Sequence, residues 1–206
     1  MNTIVKNTLI LTIITLISGL LLGFVYQITK EPIAASEEKT KKDAYKAVML
    51  DAAEFSEMDY DADSAKNILI ENGLEADVDV TGLICAYGSD NKAMGYVITV
   101  QSQEGYGGDI DVTVGILNDG TVAGVEITSI AETAGLGMRA NTPEFKAQFK
   151  DKNVDLFAYS KSGASNDNEI DALSGATITT NAMTNAVNAA VIYSKNVERG
   201  DIADAE

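Results

Sequence analysis

The chain has 206 residues, close to half of them apolar, enough for one packed domain and a smaller appendage. It contains no His, no Trp and one Cys, so zinc sites built on Cys and His, CxxC thiol chemistry and Ser-His-Asp catalysis are excluded by inventory. The formal net charge is −16, and the imbalance lies after residue 50, where nine basic residues face 27 acidic ones; so anionic a body repels nucleic acid and does not steer free dinucleotides toward itself.

Residues 8–29, TLILTIITLISGLLLGFVYQIT, carry no charge over 22 positions. At 1.5 Å per residue a helix of that length covers the ~30 Å hydrocarbon core of a bilayer, which predicts a single transmembrane anchor over residues 1–30. The run is longer than the apolar region of a cleaved signal peptide, for which only Ala34-Ala35-Ser36 offers a cleavage site. No Cys near its end permits a lipid anchor. Lys6 precedes the span whereas Lys30, Lys39, Lys41, Lys42 and Lys46 follow it, a count that by itself favours a cytoplasmic body.

Residues 31–79 read as a helical and acidic connector. Ala44, Val48, Met49 and Ala52 fall at helical spacing and predict an amphipathic helix leaving the membrane. The run SEMDYDADSAKN has the look of a calcium loop but lacks its Gly at position six and its closing Glu, so it reads as solvated linker. Residues 80–206 form the main domain. Cys85, in GLICAYG, has apolar flanks and no basic neighbour, as expected of a packed rather than reactive thiol.

AMGYVITVQSQ (93–103), GDIDVTVGIL (108–117) and TVAGVEITSI (121–130) are rich in Val, Ile and Thr, and NDG joins the last two as a hairpin. They predict an antiparallel meander, with GYGG (105–108) as a tight bend or a place where a ligand approaches backbone. TPEFKAQFK (142–150) starts a helix with Thr142 as N-cap and Pro143 at its first position. From about Thr180 to Val197, Met183, Ala186, Val187, Ala190 and Val191 fall on one narrow, small-residue helical face. The fold class is α+β: an antiparallel sheet packed against helices, preceded by one N-terminal transmembrane helix.

Two stretches carry chemistry. DALSGATITT (171–180) sets SGAT just outside the amino end of the final helix, which the pattern starts near Thr179 or Thr180, where free N–H groups and the helix dipole favour an anion. Local chemistry fits a phosphate cradle and a ligand-free cap equally. AETAGLGMRANTPEF (131–145) offers Glu132 and Thr133 as hydrogen-bonding groups and Gly135 and Gly137 for close backbone approach.

Taken in order, GYGGDIDVTVGI, NDGTVAGVEI, ETAGLG and DALSGATITTNAMTNAV resemble the FMN-binding domain of the G subunit of the Rnf electron-transport complex, and of the related C subunit of the sodium-translocating NADH:quinone reductase, over about residues 80–195. The most specific element is Asp-x-x-Ser-Gly-Ala-Thr, here Asp171, Ser174, Gly175, Ala176 and Thr177; Ala134 stands where the family usually has Pro. The resemblance implies that Thr177 carries FMN as a phosphoester, installed from FAD by a flavin transferase that recognises Asp171, Ser174, Gly175 and Ala176. It implies cofactor contacts from Ser174, Gly175, Ala176, Thr180, Glu132, Thr133, Gly135, Leu136 and Gly137, and no metal site.

The implied function is electron transfer within an ion-translocating ferredoxin:NAD oxidoreductase, beside other membrane and redox subunits and with no independent catalysis. The implied topology, single-pass with the C-terminal domain on the extracytoplasmic face of the cell membrane, opposes the lysine count. Two other readings stand: the same domain in a quinone reductase or extracellular reductase, and a cofactor-free membrane-tethered binding module in which SGAT only caps a helix.

Overall fold

The computed structural model describes residues 2–200. They divide into two compact units, residues 1–42 and residues 43 onward. From Thr3 onward the first is helical and belongs to α1 (Thr3–Val48). Its apolar stretch has a mean hydropathy of 2.5 and is wholly exposed, with Leu11, Leu16, Leu20 and Leu22 each at least 60% exposed. Such a surface finds no partner in water, and α1 is the one helix among the described residues long and apolar enough to cross a membrane. Pro32 lies inside it, removing one backbone donor without ending the helix.

The second unit is built on a five-stranded antiparallel sheet in sequence order: β1 (Glu54–Met58), β2 (Val78–Tyr87), β3 (Ala93–Ser102), β4 (Ile110–Leu117) and β5 (Val122–Ser129). The expected meander is β3 to β5, closed at Asn118–Gly120 by a turn in which Gly120 takes φ +86° and the Asp119 carboxylate accepts from the Thr121 N–H at 2.9 Å. The sheet is flanked by α2 (Ala62–Glu71), between β1 and β2; after β5 come α3 (Pro143–Lys146), a two-stranded parallel pair β6 (Ala158–Ser160) and β7 (Glu169–Asp171), and α4 (Thr177–Gly200).

Both sheet faces are covered, by different means. Ile98, Val100, Val112, Val114 and Ile116 belong to the main core with Met183, Ala186, Val187 and Ala190 of α4. Full burial of each larger side chain contributes about 1.5–3 kcal/mol. The opposite face, through Ile84, Ala86 and Val97, meets Tyr45, Val48 and Met49 at the end of α1. Contact there is backbone on backbone: Gly115 and Gly124 are cross-strand partners, and a Cβ on either would fall 2.6 Å from Val48 O or 3.0 Å from Val48 Cα.

Residues 54–71 depart from the connector expected of them. They form β1, paired with β2, and α2, which buries Ala65 and Leu69 and is capped by the Asp61 carboxylate on Asp63 and Ser64 N–H. The acidity is that of an edge strand and a surface helix, each of which needs only one buried side.

The segment after α3 is held by side chains. Phe145, Phe149 and Phe157 pack edge to face, at centroid distances of 5.8 and 5.1 Å. Buried Asn188 of α4 pairs with the Phe157 backbone twice, accepting its N–H at 2.7 Å and donating to its carbonyl at 3.0 Å.

Candidate functional site

Three loops at one end of the sheet meet around a pocket of about 420 Å³. The β3–β4 loop contributes Tyr106; the segment after β5 contributes Glu132, Thr133, Leu136 and Gly137; the start of α4 contributes Gly175, Ala176, Ile178 and Thr179. The volume is within the range of cofactor sites, and the lining is mostly apolar with a few convergent polar groups, as such sites are.

Helix α4 begins at Thr177, two or three residues earlier than expected. The reason is its cap. Ala176 has no capping oxygen, so the hydroxyl-rich sequence misplaces the boundary; the first intrahelical bond is Thr180 N–H to Ala176 O at 3.0 Å. Thr177, Ile178 and Thr179 therefore present backbone N–H groups with no preceding turn to accept them. Together with the dipole of a 24-residue helix they favour an anion. Thr177 is half-buried and sits between Ala176 and Ile178, both of which line the pocket.

The hydroxyls of this stretch divide by orientation. Thr180 is fully buried; its Oγ1 accepts from Leu173 N–H at 3.0 Å and donates to Ala176 O at 2.9 Å, stapling the SGAT loop to the helix from within. That oxygen is committed to the chain and does not face the pocket. Thr179 is buried beneath Gly137, and Ser174 is exposed in the turn, where Gly175 takes φ +78°. Asp171, at the end of β7, accepts from Ala164 N–H at 2.5 Å, and its own backbone is gripped by the Gln148 amide, Asp171 N–H to Oε1 at 2.6 Å.

Across the pocket Glu132 is 8% exposed, and its Oε1 accepts from Tyr106 N–H at 2.7 Å. Thr133 forms the turn below it, its carbonyl accepting from Leu136 and Met138 N–H at 3.1 and 3.2 Å. Gly135 sits at φ +76° in that turn with open space around it and is not part of the pocket wall, whereas Gly137 is there for space: a Cβ would lie 2.6 Å from both Glu132 Oε2 and Thr179 Oγ1. Of the residues expected at the site, Glu132, Thr133, Leu136, Gly137, Gly175 and Ala176 line one pocket. Tyr106, Ile178 and Thr179 line it too, beyond the expected set; the sequence signals Tyr106 only as the one side chain within GYGG.

A curated relative from Clostridium ljungdahlii, the G subunit of a proton-translocating ferredoxin:NAD(+) oxidoreductase complex, is 34% identical over 190 residues, covering 92% of this chain and 91% of that protein. The chain belongs to the family of Rnf complex G subunits. The G subunit of the ion-translocating oxidoreductase complex of Methanosarcina acetivorans is 30% identical, over 92% of this chain and 94% of that one. The Na(+)-translocating counterpart of Acetobacterium woodii is 28% identical, over 94% and 93%. Two family models match: the RnfG N-terminal region over residues 1–48, containing all of α1, and the FMN-binding domain over residues 105–192, containing every residue that lines the pocket.

The pocket fits what that domain's description names. An FMN-binding domain needs room for a planar ring and a place for a phosphate. Here Gly137 and Gly175 leave a bare wall that a methyl group would fill, the latter within 3.3 Å of Leu136 Cδ2, and the free N–H groups of α4 lie at one end.

Proposed function

We propose that this chain is a membrane-anchored electron-transfer subunit of an ion-translocating ferredoxin:NAD oxidoreductase, with FMN joined through its phosphate to Thr177 Oγ1. What carries the reading is the position of Thr177: first residue of α4, flanked by pocket-lining Ala176 and Ile178, at a helix end whose unpaired N–H groups suit a phosphate. When bound, FMN takes up and releases one or two electrons, chemistry that an inventory without His and with one buried Cys does not supply.

The residues bind, orient and exclude water. The α4 N–H groups would hold the phosphate, the buried Glu132 carboxylate and the Thr133 hydroxyl would offer polar contacts, and Leu136 and Ile178 would shield the ring. Thr180 acts through the loop, fixing the SGAT turn so that Thr177 has one orientation. A flavin transferase would install the group from FAD at the Thr177 hydroxyl. Exposed Asp171, Ser174 and Gly175, with Ala176 buried beside them, make up the motif that transferase would read; Asp171 also braces the preceding loop.

A covalent phosphoester retains the cofactor where no FMN pool replaces it, which suits a domain on the extracytoplasmic face. Partners are the other membrane and redox subunits of the complex; the acidic body excludes nucleic acid. Residues 8–29 carry no charge, so α1 anchors the chain without forming an ion path.

The test is coexpression with a flavin transferase, followed by in-gel flavin fluorescence and intact mass. Wild type gains the FMN mass and fluoresces, and Thr177→Ala does neither. A Thr177→Ala chain that keeps both would overturn the linkage; a colourless wild type would favour the cofactor-free binding module.

A further inference from the structure

Tyr106 is the one aromatic side chain lining the pocket among the described residues, and it is 71% exposed although the backbone beneath it is tightly constrained. Its N–H is fixed on buried Glu132. On either side Gly105 and Gly107 admit no Cβ, because Gly108 O and Ala131 O fill that space. One residue before them, the Glu104 carboxylate accepts from Asn185 Nδ2 at 2.7 Å and Asn181 Nδ2 at 3.5 Å. Both asparagines lie on α4, so the loop carrying Tyr106 is fastened to the helix that begins at Thr177. A lone exposed aromatic is ordinary on a protein surface. One displayed at a pocket mouth from a loop locked at three points is a built feature, and covering it costs little further order.

We propose that the Tyr106 ring lies against one face of the FMN ring system, as a positioning residue that also sets the flavin's electronic behaviour. This rests on the reading that FMN is joined to Thr177. The rest of the lining agrees: Leu136 and Ile178, 44% and 52% exposed, supply aliphatic surface in the same pocket, leaving Tyr106 as the aromatic contact. Offset stacking of two ring systems gains more than area alone. The negative π face of an aromatic ring, phenol or phenyl alike, also opposes the added electron density of the reduced flavin, and so favours the oxidised form. When the flavin is excited, the phenol passes it one electron and takes the same electron back, quenching emission with no net reaction; a phenyl ring is too poor a donor for this.

The experiment uses the full chain coexpressed with the flavin transferase and purified from membranes, as wild type, Tyr106→Phe and Tyr106→Leu. Intact mass gives the bound FMN, emission is measured per bound flavin, and a redox titration gives the potential. FMN mass is expected on all three chains. Emission per flavin rises several-fold in both variants, while the potential moves upward only in Tyr106→Leu, which has no ring. If FMN is covalently present and Tyr106→Leu emits no more than wild type, the proposal is overturned. Unchanged emission with electron uptake from the membrane complex lost overturns it as well, and assigns the ring to a partner surface. A wild type without FMN mass refutes the Thr177 reading itself, and this proposal with it.

Discussion

Replacing Gly137 by Ala adds one methyl at the most crowded point of the pocket wall. Its Cβ would lie 2.6 Å from Glu132 Oε2, 2.6 Å from Thr179 Oγ1 and 2.8 Å from Glu132 Cβ, inside any tolerable contact. Overpacking of this kind costs about 1–3 kcal/mol. The escape route is rotation of Glu132, which gives up its bond to Tyr106 N–H; a hydrogen bond to a charged group is worth about 1.5–3 kcal/mol, so the two routes cost alike. For a body of this size either lowers Tm by roughly 2–12 °C, and flavin loading falls because the wall has moved. Gly135, two residues earlier, is the control. It has open space but φ +76°, so its requirement is conformational. Gly135→Ala costs about 1–2 kcal/mol, and Gly135→Asn much less, because Asn tolerates the left-handed region. At Gly137 the order reverses, Asn being worse than Ala. Thermal unfolding with flavin mass on the four variants checks this; a Gly137→Ala chain with wild-type Tm and full loading would refute the steric argument.

Thr180→Val keeps the shape of the side chain but orphans Leu173 N–H, a loss of about 1–3 kcal/mol; in chains made without the flavin transferase, calorimetry should show a lowered Tm where Thr177→Ala leaves it unchanged. Asn188→Leu unpairs both backbone groups of Phe157 at about 1–3 kcal/mol each, and faster amide exchange should be confined first to residues around 150–157. Burial, then the Glu57 charge, holds the Tyr45 phenol above its ordinary pKa of 10.0. Stability from keeping it neutral is complete below that value and is lost as pH rises through the folded pKa. Alkaline unfolding followed by circular dichroism should therefore be displaced to higher pH in Tyr45→Phe.

What was legible in the sequence was what a period or a paired turn encodes. The strands β3 to β5 alternate or run apolar around NDG, and α4 repeats its small face for several turns. β1 was not legible because EFSEM buries only Phe55 and Met58, each partly, and an edge strand needs no more. The start of α4 was misplaced because its staple comes from Thr180, inside the helix, rather than from a cap residue before it. At the site, the glycine-rich loops were visible as motifs, but not that Gly135 serves a turn and Gly137 a wall, nor that Tyr106 and Ile178 share the pocket. Those follow from how three distant loops converge, which only long-range pairing decides.

The Thr180 staple makes the SGAT loop a ruler. With Leu173 N–H and Ala176 O both fixed on one buried hydroxyl, the number of residues between them and Thr177 is set by the helix and not by the loop's chemistry. One residue added between Thr177 and Thr180 would turn Thr177, the proposed attachment residue, about 100° around the helix axis relative to the staple. Exchanges at exposed Ser174 leave the length intact. In such a motif a change in the number of positions disturbs the geometry more than an exchange at an exposed letter does.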